Sequence, residues 1–71
     1  MINHHPPVIL LVEDHEPTRR LLSTLLSRSG CEIQVASTVA EGLALVDSEP
    51  DCLVLDLMLP DGRGETILRH I

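Results

Sequence analysis

Five apolar residues in a row, Val8-Ile9-Leu10-Leu11-Val12, form the first clear pattern along the chain. A strand covered on one face alternates apolar and polar residues. An unbroken run predicts a strand covered on both faces, as in a parallel sheet. The run stops at Glu13-Asp14-His15-Glu16, a polar turn that ends at Pro17. Proline suits the first position of a helix, and Leu21, Leu22, Leu25 and Leu26 follow at helical spacing until Gly30 offers a stop, which predicts a helix of about three turns. Cys31, Ile33 and Val35 then alternate with Glu32 and Gln34. This is the period of a half-exposed strand, and an edge position in a sheet explains it.

Thr38 and Glu41 stand three residues apart as a capping box ahead of Leu43, Ala44, Leu45 and Val46, which predicts a second, shorter helix. Glu49-Pro50-Asp51 breaks it, and Cys52-Leu53-Val54-Leu55 forms another apolar run that ends at Asp56. Leu57 to Pro60 lead into Asp61-Gly62-Arg63-Gly64, a turn-rich loop. Glu65 to Ile71 reads as the start of a third helix with Ile67, Leu68 and Ile71 on one face. The order strand, helix, strand, helix, strand, helix predicts an α/β fold with a parallel sheet and right-handed crossovers. Residues 1–7, with His4 and His5 before Pro6-Pro7, read as a flexible tail, and residues 8–71 as one folded module.

The sequence has 71 residues, 44% of them hydrophobic, with 5 Lys+Arg against 11 Asp+Glu and a net charge of −6. A domain of this size buries only about 60% of the surface its unfolded chain exposes, which excludes a large enzyme core. A net negative chain without basic runs is a poor binder of nucleic acid or of a membrane surface. The amino-terminal residues lack the basic start and apolar run of a signal peptide, and no run approaches transmembrane length. Cys31 and Cys52 have no CxxC spacing, and each lies in an apolar stretch; they are expected to be reduced, buried thiols of a cytoplasmic protein. All five basic residues are arginines (Arg19, Arg20, Arg28, Arg63, Arg69), and the chain contains no lysine and no aromatic residue.

In open parallel sheets, ligands bind beyond the carboxyl ends of the strands. The first apolar run ends in Glu13-Asp14 and the third in Asp56. If these strands are neighbours, three carboxylates converge, and their repulsion raises their pKa values unless a cation compensates. Oxygen-only ligands suit a hard cation such as Mg²⁺, which keeps waters and leaves room for a phosphate oxygen. A carboxylate beside that ion can also act as a nucleophile towards a phosphoryl group. Taken singly, each of the three is an ordinary polar residue at a strand end, with Asp14 or Glu16 also favouring a helix N-terminus. Their joint placement at the ends of two apolar runs favours a site.

Val8-Ile9-Leu10-Leu11-Val12-Glu13-Asp14, together with Pro50-Asp51-Cys52-Leu53-Val54-Leu55-Asp56-Leu57-Met58-Leu59-Pro60-Asp61-Gly62, resembles the receiver domain of two-component response regulators. The resemblance runs from Val8 to Ile71, including the helix phrase Ala36 to Leu45. It implies a flavodoxin-like receiver fold of which the chain supplies three of five βα units, truncated within the third helix. It also implies a phosphoacceptor module and not a free-standing enzyme. Asp56 would accept a phosphoryl group from a sensor histidine kinase or a histidine phosphotransfer protein. Asp14 and Asp56 would bind Mg²⁺ directly, with the main-chain carbonyl of Met58, and Glu13 would hold it through water. Pro60 and Gly62 would shape the loop.

The resembled family carries a Ser or Thr at the end of its fourth strand and a lysine at the end of its fifth. Neither strand is present in this sequence, and Thr38 and Thr66 do not stand at strand ends. In the resembled order 2-1-3-4-5, the third strand is internal, whereas here it is expected to be an exposed edge. Either the chain is part of a longer protein, which is the favoured reading, or two copies pair through that edge. The alternative function is therefore a non-phosphorylating interaction or dimerisation module. A phosphatase with an aspartate nucleophile is a more distant rival, because its Asp-x-Asp pattern is replaced by Asp56-Leu57-Met58. The first-helix face with Arg19, Arg20 and Ser23 reads equally well as a kinase-docking surface and as the solvated side of an amphipathic helix.

Overall fold

The computed structural model describes residues 5–71; His4 and the rest of the expected tail up to it lie outside the described residues. Three parallel strands form the sheet, in the order β2-β1-β3: β1 (Val8–Val12), β2 (Glu32–Ala36) and β3 (Cys52–Leu55). Helices α1 (Glu16–Arg28) and α2 (Val39–Val46) are the crossovers, and α3 (Glu65–His70) follows β3. The expected α/β architecture is thus present. β1 is central, as its uninterrupted apolar run requires: Ile9, Leu10, Leu11 and Val12 are all buried.

Register sorts the strand residues onto two faces. Leu10 and Val12 lie between Gln34 and Ala36 on one side and Leu53 and Leu55 on the other. This face carries the core, with Val39 and Val46 of α2, Ile67 of α3 and Leu59 packed onto it. Gly42 lets α2 approach α3, because a Cβ there would fall inside contact distance of the Ile67 side chain. On the opposite face Ile9 and Leu11 are covered by α1, yet α1 itself buries no residue completely.

That asymmetry corrects several expectations. Leu21 and Leu25 are 59% and 49% exposed, because only the Leu22 and Leu26 side of α1 meets the sheet. Val35, expected to point inwards, is 46% exposed on the edge strand β2, where it lines the open groove beside α1. On α3, Ile67 is fully buried while Leu68, and Ile71 just past the helix end, face solvent. The cysteines are not the buried thiols expected: Cys31 is half-buried and Cys52 exposed, since β3 is an edge strand and its first residue lies on the thinly covered face. They are free thiols, with no disulfide between them.

Local chemistry sets the helix starts as expected. Pro17 lies in the first turn of α1. The Thr38 hydroxyl accepts from Glu41 N at 3.1 Å, and the Glu41 carboxylate accepts from Ser37 N at 3.0 Å. One element is new. The residues after Asp56 form a two-stranded antiparallel hairpin, β4 (Met58–Leu59) with β5 (Gly62–Arg63), where a loop was expected. Two-residue strands are too short to show a period, so nothing in the pattern of apolar residues announces them.

Candidate functional site

Main-chain bonds continue the sheet past its last paired residues. Glu13 N donates to Ala36 O at 3.0 Å and Asp56 N donates to Val12 O at 2.9 Å. These bonds hold the first polar residues after β1 and β3 side by side at the carboxyl end of the sheet. The expected convergence is met: one carboxylate oxygen from each of Glu13, Asp14 and Asp56 lies within 4.8 Å of the others.

Each acid is held differently. Asp56 Oδ1 accepts from Met58 N at 3.0 Å, which turns the chain tightly into the hairpin. Glu13 accepts from His15 N at 3.3 Å. Arg19, read from sequence as a solvated or docking residue, turns back from α1, and its Nη1 donates to the carbonyl oxygens of Glu13 at 3.2 Å and Asp14 at 3.5 Å. It braces the loop that carries two of the acids. Arg20 stays at the surface in an exposed i,i+4 pair with Glu16.

The three acids do not share the repulsion equally. Burial raises the Glu13 pKa above its ordinary value of 4.5, and the hydrogen bond with Asp56 adds to the rise. The Met58 N–H, followed by the hydrogen bond from Glu13, holds Asp56 below its ordinary 3.8. As acid is added, the pair therefore stores its first proton on Glu13 and leaves Asp56 ionised. An ionised Asp56 is the form a nucleophile needs. The same linkage predicts a pH dependence. A cation bound among these acids competes with the Glu13 proton, so Mg²⁺ affinity is expected to fall as pH drops through a window that begins above 4.5. Titration of Mg²⁺ at several pH values checks this, and Glu13→Gln is expected to flatten the profile.

The donor set fits a small hard cation. Octahedral Mg²⁺ at about 2.0–2.1 Å from its ligands needs oxygens about 2.9 Å apart in adjacent positions and about 4.1 Å apart in opposite ones. The three acids, with one oxygen each within 4.8 Å of the others, bring oxygen donors together on the scale of such a shell. Gly64 lies against the backbone of the acceptor strand's end: a Cβ there would collide with the Asp56 main-chain carbonyl, and Gly64 N donates to Leu57 O at 3.0 Å. Asp61, at the hairpin turn, accepts from Val39 N at 2.7 Å and Ala40 N at 3.1 Å, and so caps α2 from a distance of more than twenty residues. No local signal in the sequence marks that contact.

An open parallel α/β sheet with an acidic cluster at its carboxyl edge, on the order β2-β1-β3, defines a domain of the doubly wound class with its site beyond the strand ends. The sequence matches the response regulator receiver domain family over residues 9–71. The chain belongs to that family, and to the regulators of two-component systems. It is 39% identical over 64 residues to the KDP operon transcriptional regulatory protein KdpE of Escherichia coli, covering 89% of this chain and 28% of that protein. It is 43% identical over 67 residues to the DNA-binding transcriptional activator DevR/DosR of Mycobacterium tuberculosis, covering 89% and 30%. Among solved structures, it superposes on the signal receiver domain of a Vibrio parahaemolyticus protein described as a LuxO repressor, with a TM-score of 0.85 and 30% identity, covering 92% of this chain and 51% of that one. A response regulator from Chloroflexus aurantiacus gives a TM-score of 0.82 at 30% identity, covering 89% and 52%. The chain thus spans little more than a quarter of the transcriptional regulators it matches and about half of the solved receiver structures. Among the described residues no helix is long and apolar enough to cross a membrane.

Proposed function

We propose that this chain carries the phosphoacceptor and metal-binding part of a two-component receiver domain, with Asp56 as acceptor. The observation that carries the reading is the meeting of Glu13, Asp14 and Asp56 within 4.8 Å, with Met58 N donating to the Asp56 carboxylate, a bond that favours its ionised form. An Asp56 oxygen attacks the phosphorus of a phosphohistidine on a sensor histidine kinase or a histidine phosphotransfer protein; the P–N bond breaks, a P–O bond forms, and the imidazole leaves. Asp14, Asp56 and the Met58 carbonyl would hold Mg²⁺ directly and Glu13 through water. The ion, when bound, neutralises phosphoryl oxygens against the three acids. Asp56 supplies the electron pair, and Arg19 keeps the Glu13-Asp14 loop in place.

The chain acts here as a substrate of its partner and not as a turnover enzyme, and cytoplasmic residence follows from that partner. A groove of about 370 Å³ along α1, lined by Glu16, Arg19, Arg20, Ser23, Thr24 and Val35, is the surface we assign to the kinase. The outer edge of β3, which among the described residues pairs with β1 alone, supports a second reading in which the chain self-associates without accepting phosphate. Incubation of the full chain with phosphoramidate and Mg²⁺ separates the two. The expected result is a hydroxylamine-labile acyl phosphate that disappears when EDTA removes the ion; no phosphorylation, with dimers in sedimentation, supports the second reading instead.

A further inference from the structure

We infer that Asp61 is a positioning residue for the metal site: by capping α2 from the hairpin turn, it fixes the hairpin that presents the Met58 carbonyl. The inference rests on the reading of Glu13, Asp14, Asp56 and Met58 as a Mg²⁺ site, and it adds a residue which touches none of them.

The ties on the hairpin carry it. Met58 is 72% exposed, so its side chain anchors nothing, and its carbonyl can be placed only by the backbone around it. At the open end of the hairpin the backbone is held by Met58 N on Asp56 Oδ1 and by Gly64 N on Leu57 O. Leu59 is buried in the core beneath it. At the turn, the two oxygens of Asp61 take the first two amides of α2, Val39 N and Ala40 N. Gly62, with φ +152, follows in the left-handed region that the turn needs, and a Cβ there would reach the Val39 side chain. The third amide of α2, on Glu41, is satisfied independently by Thr38 from within its own segment. The start of α2 is therefore capped by two devices, and only one of them also holds the hairpin.

That division supplies the test. Thr38→Ala removes a cap from the same helix end and leaves the hairpin tied; Asp61→Ala removes a cap and frees the turn. A merely structural role for Asp61 makes the two variants alike. A positioning role makes Asp61→Ala lower Mg²⁺ affinity by about tenfold, the lower end of the effects seen when outer partners of metal ligands are removed. Thr38→Ala is expected to leave affinity within about twofold.

Isothermal titration of the full chain with Mg²⁺ alone reads these values. Amide hydrogen exchange without the ion should be faster at Met58 and Gly64 in Asp61→Ala but not in Thr38→Ala. Asp61→Asn keeps an oxygen for Val39 N and turns a donor towards Ala40 N, so it is expected to fall between wild type and Asp61→Ala. If Asp61→Ala fails to fold, the comparison of Asp61→Asn with Thr38→Ala decides. Equal Mg²⁺ affinities in the Asp61 and Thr38 variants overturn the inference. Failure of the wild type itself to bind Mg²⁺ overturns the underlying site reading instead.

Discussion

Asp56→Asn is expected to abolish the acyl phosphate, lowering its rate of formation from a small phosphodonor by at least about a thousandfold, the scale on which removal of a nucleophile acts. The neutral amide cannot attack phosphorus as the ionised carboxylate can. The substitution is otherwise mild. Asn keeps a side-chain oxygen that can accept from Met58 N, so the turn into the hairpin survives. It also removes one negative charge from the cluster, which relieves Glu13 and brings its pKa back towards 4.5. The variant is therefore expected to fold at least as firmly as the wild type while remaining unmodified. Intact mass after incubation with phosphoramidate and Mg²⁺ provides the readout; a variant that still gains one labile phosphoryl group shows that another side chain is the acceptor.

Gly64→Ala is expected to destabilise the fold by about 1–3 kcal/mol and to weaken the site at the same time. Gly64 has an ordinary helical φ of −59, so the penalty does not come from backbone conformation. It comes from contact: the added methyl would overlap the main-chain carbonyl of Asp56, with the Leu55 side chain close behind. Backbone held by the sheet cannot yield as a side-chain tip can. To accommodate the methyl, either α3 must shift away from Leu57 O or Asp56 must leave its position at the end of β3. Gly30→Ala is the contrasting control, since Gly30 has a φ of +86 and open space around its missing Cβ. That change costs about 1 kcal/mol through backbone strain and leaves the acids untouched. Urea midpoints report the stability of both variants, and Mg²⁺ titration reports the site. Gly64→Ala with wild-type stability would mean that the start of α3 is looser than this packing implies.

Much of the fold was legible because its causes are local or periodic. The two apolar runs, Val8–Val12 and Cys52–Leu55, are the strands that pair in the sheet, and Thr38 with Glu41 caps the helix that the pattern predicts. Glu13, Asp14 and Asp56 were identifiable because each directly follows such a run, and strand ends in a parallel sheet share one edge. Less was legible where burial depends on what lies opposite. Leu21, Leu25, Val35 and Cys52 are apolar or poorly hydrated residues placed correctly on their elements, yet exposed, because α1 covers only part of its sheet face. Periodicity tells which residues share a face; it does not tell how much of that face another element covers.

By itself, the sequence determined the element order, the parallel α/β class and the three acids, since these follow from the spacing of apolar residues and from which polar residue ends each run. Only the tertiary structure decided that Arg19 turns back to brace the acidic loop, that Gly64 lies against Asp56, and that Asp61 caps α2 from across the molecule. It also decided how the charge is distributed, with the proton favouring Glu13 and Asp56 left ionised. The reason is physical: desolvation, close approach and hydrogen bonds between segments more than twenty residues apart depend on distances in space, and a linear pattern of residues carries no such distances until the sheet has set them.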